Sequence, residues 1–375
     1  MEKCILAPDS FKGTMSSYEV SGIMKKVINK RYPNCNVLTL PMTDGGDGMV
    51  DCYLKILNGS KINLTVNNPY FEPIDSFYGI AEKTAVIEMA AAAGLNLVRG
   101  RMNPRLTSTY GVGELIKDAI LKGCTTIILG LGGSCTNDAG AGMAAALGVK
   151  FYDENEETFI PTGGSLDKVK KIDVTLAKEY MAGIKLIALC DVNNIMYGRN
   201  GAAYVFATQK GADKESVRLL DENLQYFSET IKENLGMDVS QISGTGAAGA
   251  MGAGVIALLD GKLIQGVDDV LNLFKFEELA DGCDYIFTGE GKLDFQSLSG
   301  KVVIGVSKRA KALGIPVIAI VGKLEGNKEI FKQYGINEIY ETNKHETSLQ
   351  NLQKICRNDL EKTMEEVLRK IREKN

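Results

Sequence analysis

Short apolar runs that each stop at a glycine-bearing polar loop recur along this chain, and that pattern constrains the fold most. KCILA runs into Pro8, Asp9, Ser10, Phe11, Lys12 and Gly13, and NVLTLPM into Thr43, Asp44, Gly45, Gly46, Asp47 and Gly48. IILGL runs into Gly132, Gly133, Ser134, Cys135, Thr136, Asn137 and Asp138. LIALC runs into Asp191, Val192, Asn193 and Asn194, and DYIFT into Gly289, Glu290, Gly291, Lys292, Leu293 and Asp294. Continuous apolar runs of this length read as strands buried on both faces. The segments between them read as helices: Ser16 and Glu19 have capping-box spacing ahead of YEVSGIMKKVINKR, and Gly59 closes MVDCYLKILNG. The chain is therefore α/β.

Residues 1–60 read strand-helix-strand-helix. KINLTVNN, EPIDSFYGI and TAVIEMA then follow one another with short links, which predicts an antiparallel patch and a different domain. The last third returns to alternation, with DYIFTG, IPVIAIVG and INEIYE as strands and LEKTMEEVLRKIREKN as a terminal helix. Two front strands and three back strands complete one parallel sheet in this reading, with the middle inserted. The expected domains are residues 1–60 with 276–375, and an inserted mixed α/β domain over residues 61–275; a length of 375 residues fits such a division.

Composition removes several functions. A net charge of −4 gives no basic field for nucleic acid. A single histidine, His345, excludes histidine-rich metal sites and argues against a Ser-His-Asp triad. Eight cysteines without a CxxC pair read as reduced thiols of a cytoplasmic protein. The start MEKCILAPDS has no secretory apolar core, and no apolar run reaches membrane-spanning length. Two copies assembling as a homodimer is compatible with the sequence.

Ligands of open α/β proteins bind outside the carboxyl ends of the strands, so the loops carry the chemistry. GLGGSCTNDAGAG precedes a helix. Its glycines let amide N–H groups approach an anion, with Ser134, Thr136 and Asn137 as further donors. The same glycines would also serve close helix–strand packing. No GxxxxGK[ST] loop occurs. Gly244, Gly246 and Gly249 make a GxGxxG with Asp268 and Asp269 about 20 residues on, but the preceding GMDVSQIS is a poor strand. A phosphate-holding helix start or a close-packed helix suits that segment better than a dinucleotide turn. Lys12 and Lys301, each at a loop-to-helix junction, are the candidate phosphate partners, and Lys210 is a weaker third. Asp191, ending an apolar strand, is the candidate base. Asp44, Asp47, Glu290 and Asp294 are further acids for base chemistry or Mg²⁺.

Taken together, APDSFKGTMSS, LPMTDGGDG, GLGGSCTNDAGAGM, ALCDVNN, FATQKGA, GTGAAGAMGAG and TGEGKLDFQSLSGK resemble the bacterial glycerate kinase family, in order from Ala7 to about Lys301. The resemblance implies ATP-dependent phosphorylation of D-glycerate, with 2-phosphoglycerate the usual product, by direct in-line transfer in a cleft between domains. It also implies a flavodoxin-like domain built from both chain ends and an inserted domain similar to a restriction-endonuclease-like fold. The family's loops carry over here as Asp9, Ser10 and Lys12; Asp44 and Asp47; Ser134, Asn137 and Asp138; Asp191; and Glu290, Asp294 and Lys301. The loops themselves are read with Asp9, Ser10, Asn137 and Asp138 on the substrate and Gly132, Gly133, Ser134, Gly246 and Gly249 on ATP. Asp191, Lys12 and Lys301 would act in catalysis, with Asp44, Asp47, Glu290 and Asp294 toward Mg²⁺. This chain has Cys135 where the family motif has Ala, Ala139 where Gly is usual and Asp47 where Glu is common. The rival readings are an NAD(P)-dependent oxidoreductase on a small hydroxy acid, resting on GTGAAG, and a non-catalytic anion-binding protein.

Overall fold

The Glu19 N–H donates to Ser16 Oγ at 3.2 Å, and the Ser16 N–H donates back to the Glu19 carboxylate at 3.0 Å. The capping box thus starts the helix Ser17–Arg31 where the sequence reads it. The computed structural model describes all residues except 12, 41, 43–47, 191, 265–266, 300–301, 344–347 and 375, and leaves the side chains of 52, 55, 56, 269, 273, 296, 299, 349 and 374 undescribed. In chain order the described strands are β1 (Lys3–Pro8), β2 (Asn36–Thr39), β3 (Ser60–Asn67), β4 (Pro73–Ala81), β5 (Thr84–Glu88), β6 (Thr126–Gly130), β7 (Lys150–Tyr152), β8 (Thr158–Phe159), β9 (Lys171–Asp173), β10 (Lys185–Leu189), β11 (Lys262–Ile264), β12 (Tyr285–Leu293), β13 (Val317–Leu324) and β14 (Ile336–Glu341).

The chain divides into two compact units, Met1–Thr43 with Gly266–Asn375, and Asp44–Gln265. The helix Met49–Leu57, read above with the first segment, packs on β4 and β5, and its Val50 N–H donates to Glu88 at 2.8 Å.

In the first unit the two front strands and three back strands pair into one wholly parallel sheet, ordered β14-β13-β12-β1-β2. From β1 the chain moves out to β2. From β12, on the other side of β1, it moves out to β13 and β14. The order reverses between β1 and β12, which makes their carboxyl ends the switch point where such sheets take ligands. Pro8 is in register with Gly289, and the Asp9 N–H donates to the Gly289 carbonyl at 2.8 Å at that point. A Cβ at Gly289 would stand 2.0 Å from the Ile320 carbonyl oxygen, so the strands approach only because the residue is glycine. Two elements run longer than the sequence reading. GEGKL is strand rather than loop: Lys292 pairs with Lys323 and Leu293 with Leu324, because Gly322, lacking a Cβ, admits the Gly291 carbonyl closely and Leu293 has a core to enter. The terminal helix spans Leu349–Lys374, since Cys356 extends the buried stripe of Leu360, Met364, Val367 and Ile371 that packs on helix Ser17–Arg31.

The second unit has a six-stranded sheet ordered β11-β10-β6-β5-β4-β3 and a small sheet β8-β7-β9. The expected antiparallel patch is present in β3, β4 and β5, and it continues through β5 into parallel β6, β10 and β11. Strand order follows chain order without reversal, so any crevice here must be built by loops. No described helix is long and apolar enough to cross a membrane.

Candidate active site

β6 stops at Gly130 in register with Leu189 of β10. The loop that follows is pinned against the segment after β5: the Leu95 N–H donates to the Gly133 carbonyl at 3.0 Å and the Cys135 N–H to the Ala93 carbonyl at 2.9 Å. Gly133 sits at φ 74°, the left-handed region open to glycine. Among the described residues, the N–H groups of Gly132, Gly133 and Ser134 donate to no protein acceptor. They line a cavity of about 120 Å³. Its other walls are Cys190 and Val192 after β10, Phe206, Gln209 and Lys210, and Ala247 and Ala248. Three of the glycine-bearing loops read in the sequence therefore meet within one unit.

Lys210 ends the 3₁₀ turn Thr208–Lys210 and is only 2% exposed. Its Nζ donates to Ser134 Oγ and to the Thr136 carbonyl, both at 2.7 Å. Both acceptors are neutral. Burial lowers its pKa to about 8, against the pull of Cys135 and Asp138. The least regarded of the three candidate lysines is thus the one the described structure puts in the cavity wall.

Asp138 is fully buried. Its carboxylate accepts from the Thr109 N–H (2.7 Å), Thr109 Oγ1 (2.8 Å), the Gly140 N–H (3.2 Å) and the Gly142 N–H (3.2 Å). Thr109 and Gly140 begin the helices Tyr110–Leu121 and Ala141–Ala146, whose amino ends favour a negative charge. Burial nevertheless raises the Asp138 pKa, opposed by those hydrogen bonds. Four donors of the protein itself thus already engage the carboxylate for which a substrate contact was expected. Asn137 next to it is different. It is fully buried, and among the described residues its Nδ2 and Oδ1, like Thr136 Oγ1, have no hydrogen-bond partner. Unmet polar atoms in a protein interior cost free energy unless a ligand or water meets them.

The segment after Gly244 is not a dinucleotide turn. Turn residues, not a strand, precede it. Ala248, Gly249 and Ala250 have φ of 55°, 69° and 67°, one left-handed turn inside what the sequence reads as a plain helix. A Cβ on Gly246 would lie 2.2 Å from the Ile195 carbonyl oxygen, and one on Gly249 2.0 Å from that of Thr136. The Gly246 N–H is committed to the Asn194 carbonyl at 2.9 Å. The Gly246 N–H is thus already engaged, and close packing at both glycines brings Ala247 and Ala248 to the cavity. The oxidoreductase reading loses its one motif. Gly249→Ala combines an unfavourable φ with a backbone clash and is expected to cost about 2 kcal/mol or more, measured as a shift in the urea midpoint. An unchanged midpoint would remove the packing account.

In the first unit, Asp9 and Ser10 follow β1, with the Ser10 N–H donating to Asp9 Oδ1 at 2.6 Å. Glu290 is buried in β12, and Asp294 lies 3.5 Å from Lys292 Nζ, which also pairs with Glu325 at 2.8 Å. Glu290 lies within β12 and Asp294 just past its end at Leu293. Among the described residues no group of three or more His, Cys, Asp or Glu is placed to hold a metal. Lys12, Asp44, Asp47, Asp191 and Lys301 lie outside the described residues, although the chain neighbours of Asp191 line the cavity.

Comparison with known proteins gives a consistent result. The sequence profile of the Glycerate kinase family matches residues 4–372. A glycerate kinase of Halalkalibacterium halodurans is 44% identical over 343 residues, 91% of this chain and 90% of that protein. The glycerate 2-kinase of Escherichia coli K12 is 39% identical over 341 residues, 90% of each. A solved structure assigned as glycerate kinase 2 from Salmonella typhimurium LT2 matches with a TM-score of 0.78 at 33% identity, covering 99% of this chain and 98% of its own.

Proposed function

The chain belongs to the glycerate kinase family, and from this we propose that it transfers the terminal phosphoryl group of ATP to D-glycerate, at the 2-hydroxyl. The observation that supports this best is the family match, which runs through every loop argued above. Phosphoryl transfer asks a protein for positioning and charge neutralisation rather than covalent chemistry. The amides of Gly132, Gly133 and Ser134 meet developing anionic charge at the carboxyl end of β6. Asn137 and Thr136 supply hydrogen bonds that the protein itself leaves unmade. Asp138 holds this loop in place, and Asp191 orients the acceptor hydroxyl and takes its proton. Taken by itself, the first unit offers Lys12 and Lys301 for phosphate charge and Asp9 and Ser10 for a ligand at the β1–β12 switch point. Mg²⁺, when bound with ATP, offsets the charge of the phosphate oxygens. Glu290 and Asp294 would be the residues of the first unit nearest to such an ion, and no step here is routed through it.

The test is ADP release with a panel of small hydroxy acids and with glycerol. D-Glycerate is expected to give turnover and glycerol to give none. ADP release indifferent to every acceptor would refute the reading.

A further inference from the structure

We propose that Lys210 anchors the carboxylate of the three-carbon hydroxy acid, and so makes the site accept an acid and refuse an uncharged polyol of the same length. The proposal rests on the reading of the protein as a kinase of D-glycerate. An ammonium has three donors, and the two acceptors of Lys210, Ser134 Oγ and the Thr136 carbonyl, leave one unused. The acids that act on it are Cys135 and Asp138. Burial pushes the Cys135 thiol up to about 12, so it is neutral, and the Asp138 carboxylate is turned to Thr109, Gly140 and Gly142. Among the described residues no carboxylate forms an ion pair with Lys210. A buried cation whose nearest carboxylate is turned to other donors calls for an anion from outside.

Size and charge choose the anion. The cavity of about 120 Å³ has room for a three-carbon acid beside Lys210. One ammonium balances one carboxylate, whereas a triphosphate carries several charges. In glycerate the carbon bearing the 2-hydroxyl is bonded directly to the carboxyl carbon. A carboxylate seated on Lys210 therefore keeps the 2-hydroxyl at the amide-lined end of the cavity and the 3-hydroxyl one carbon further off. An uncharged polyol leaves the buried ammonium unpaired, which is how a site rejects a ligand of the same length.

Steady-state kinetics on the wild type and on Lys210→Met test this. The variant is expected to raise the KM for D-glycerate by about 100-fold or more. Its KM for ATP should stay within about threefold, since the lost contact is to the acid alone. In the wild type, kcat/KM for D-glycerate at saturating ATP should fall as pH rises past about 8, where the amine loses its proton, while kcat stays level. That limb should be missing in the variant. If the variant loses ATP affinity and keeps its KM for D-glycerate, Lys210 is a phosphate residue and the proposal is overturned. A wild-type profile without the alkaline limb overturns it also if the variant fails to fold. Absence of any wild-type ADP release with D-glycerate removes the kinase reading instead.

Discussion

Asp138→Ala should lower stability by about 4 kcal/mol or more, because four donors that now end on one carboxylate would be stranded inside the protein. The loss would spread, since Thr109 Oγ1 also accepts the Met143 N–H at 2.9 Å. Both helix starts and the loop between Asn137 and Gly142 depend on that network. For a unit of this size the melting temperature should drop by roughly 10 °C. Asp138→Asn should lose less, as one oxygen remains, but its NH₂ would face amide N–H groups. Calorimetric melting of both variants checks the order. A variant that melted like the wild type but bound D-glycerate poorly would make Asp138 a substrate ligand after all.

Lys210 should show the opposite sign. Its pKa of about 8 in the fold, against 10.5 as a free side chain, corresponds to roughly 3 kcal/mol of cost for carrying the charge inside. Below pH 8 the amine is charged folded and unfolded, and the cost is present in full. Between pH 8 and 10.5 the folded chain has released the proton and the unfolded chain still holds it, so stability from this group rises with pH. Above 10.5 the cost is gone. Lys210→Met removes the charge at every pH and leaves Thr136 one donor short, so at pH 7 it should be at least as stable as the wild type. Urea midpoints at pH 7 and pH 10 should therefore converge: the wild type gains on the variant as pH rises. Parallel shifts in both would mean that Lys210 carries no buried charge. The two substitutions thus separate a residue kept for the fold from one kept for the ligand.

The sheet of the first unit was legible because strands covered on both faces must be apolar throughout, and such runs as KCILA and IPVIAIVG have no other use in a chain with these loops. The β6 loop was marked by its glycines and the end of β10 by the polar residues after an apolar run, but that they meet the segment at Ala247 is seen only in the fold. Other features were hidden by ordinary local chemistry. FATQKGA reads as a solvated lysine before a closing glycine, and only the tertiary fold covers Lys210. AAGAMGAG reads as helix, since nothing in an alanine announces a positive φ; Ala248 and Ala250 are held there by the loops around Gly249. Asp138 reads as a loop acid because its donors at Thr109 come from 29 residues away. GEGKL reads as a turn until Gly291 and Gly322 are seen to let two strands touch.

Phosphorus NMR of the product made from ATP and D-glycerate tests the account at its centre. The account predicts a new phosphomonoester resonance split into a doublet by one neighbouring proton, as phosphate on the 2-hydroxyl requires. A triplet from a CH₂ group would place the phosphate on the 3-hydroxyl and contradict the carboxylate anchor, and inorganic phosphate alone would contradict the kinase itself.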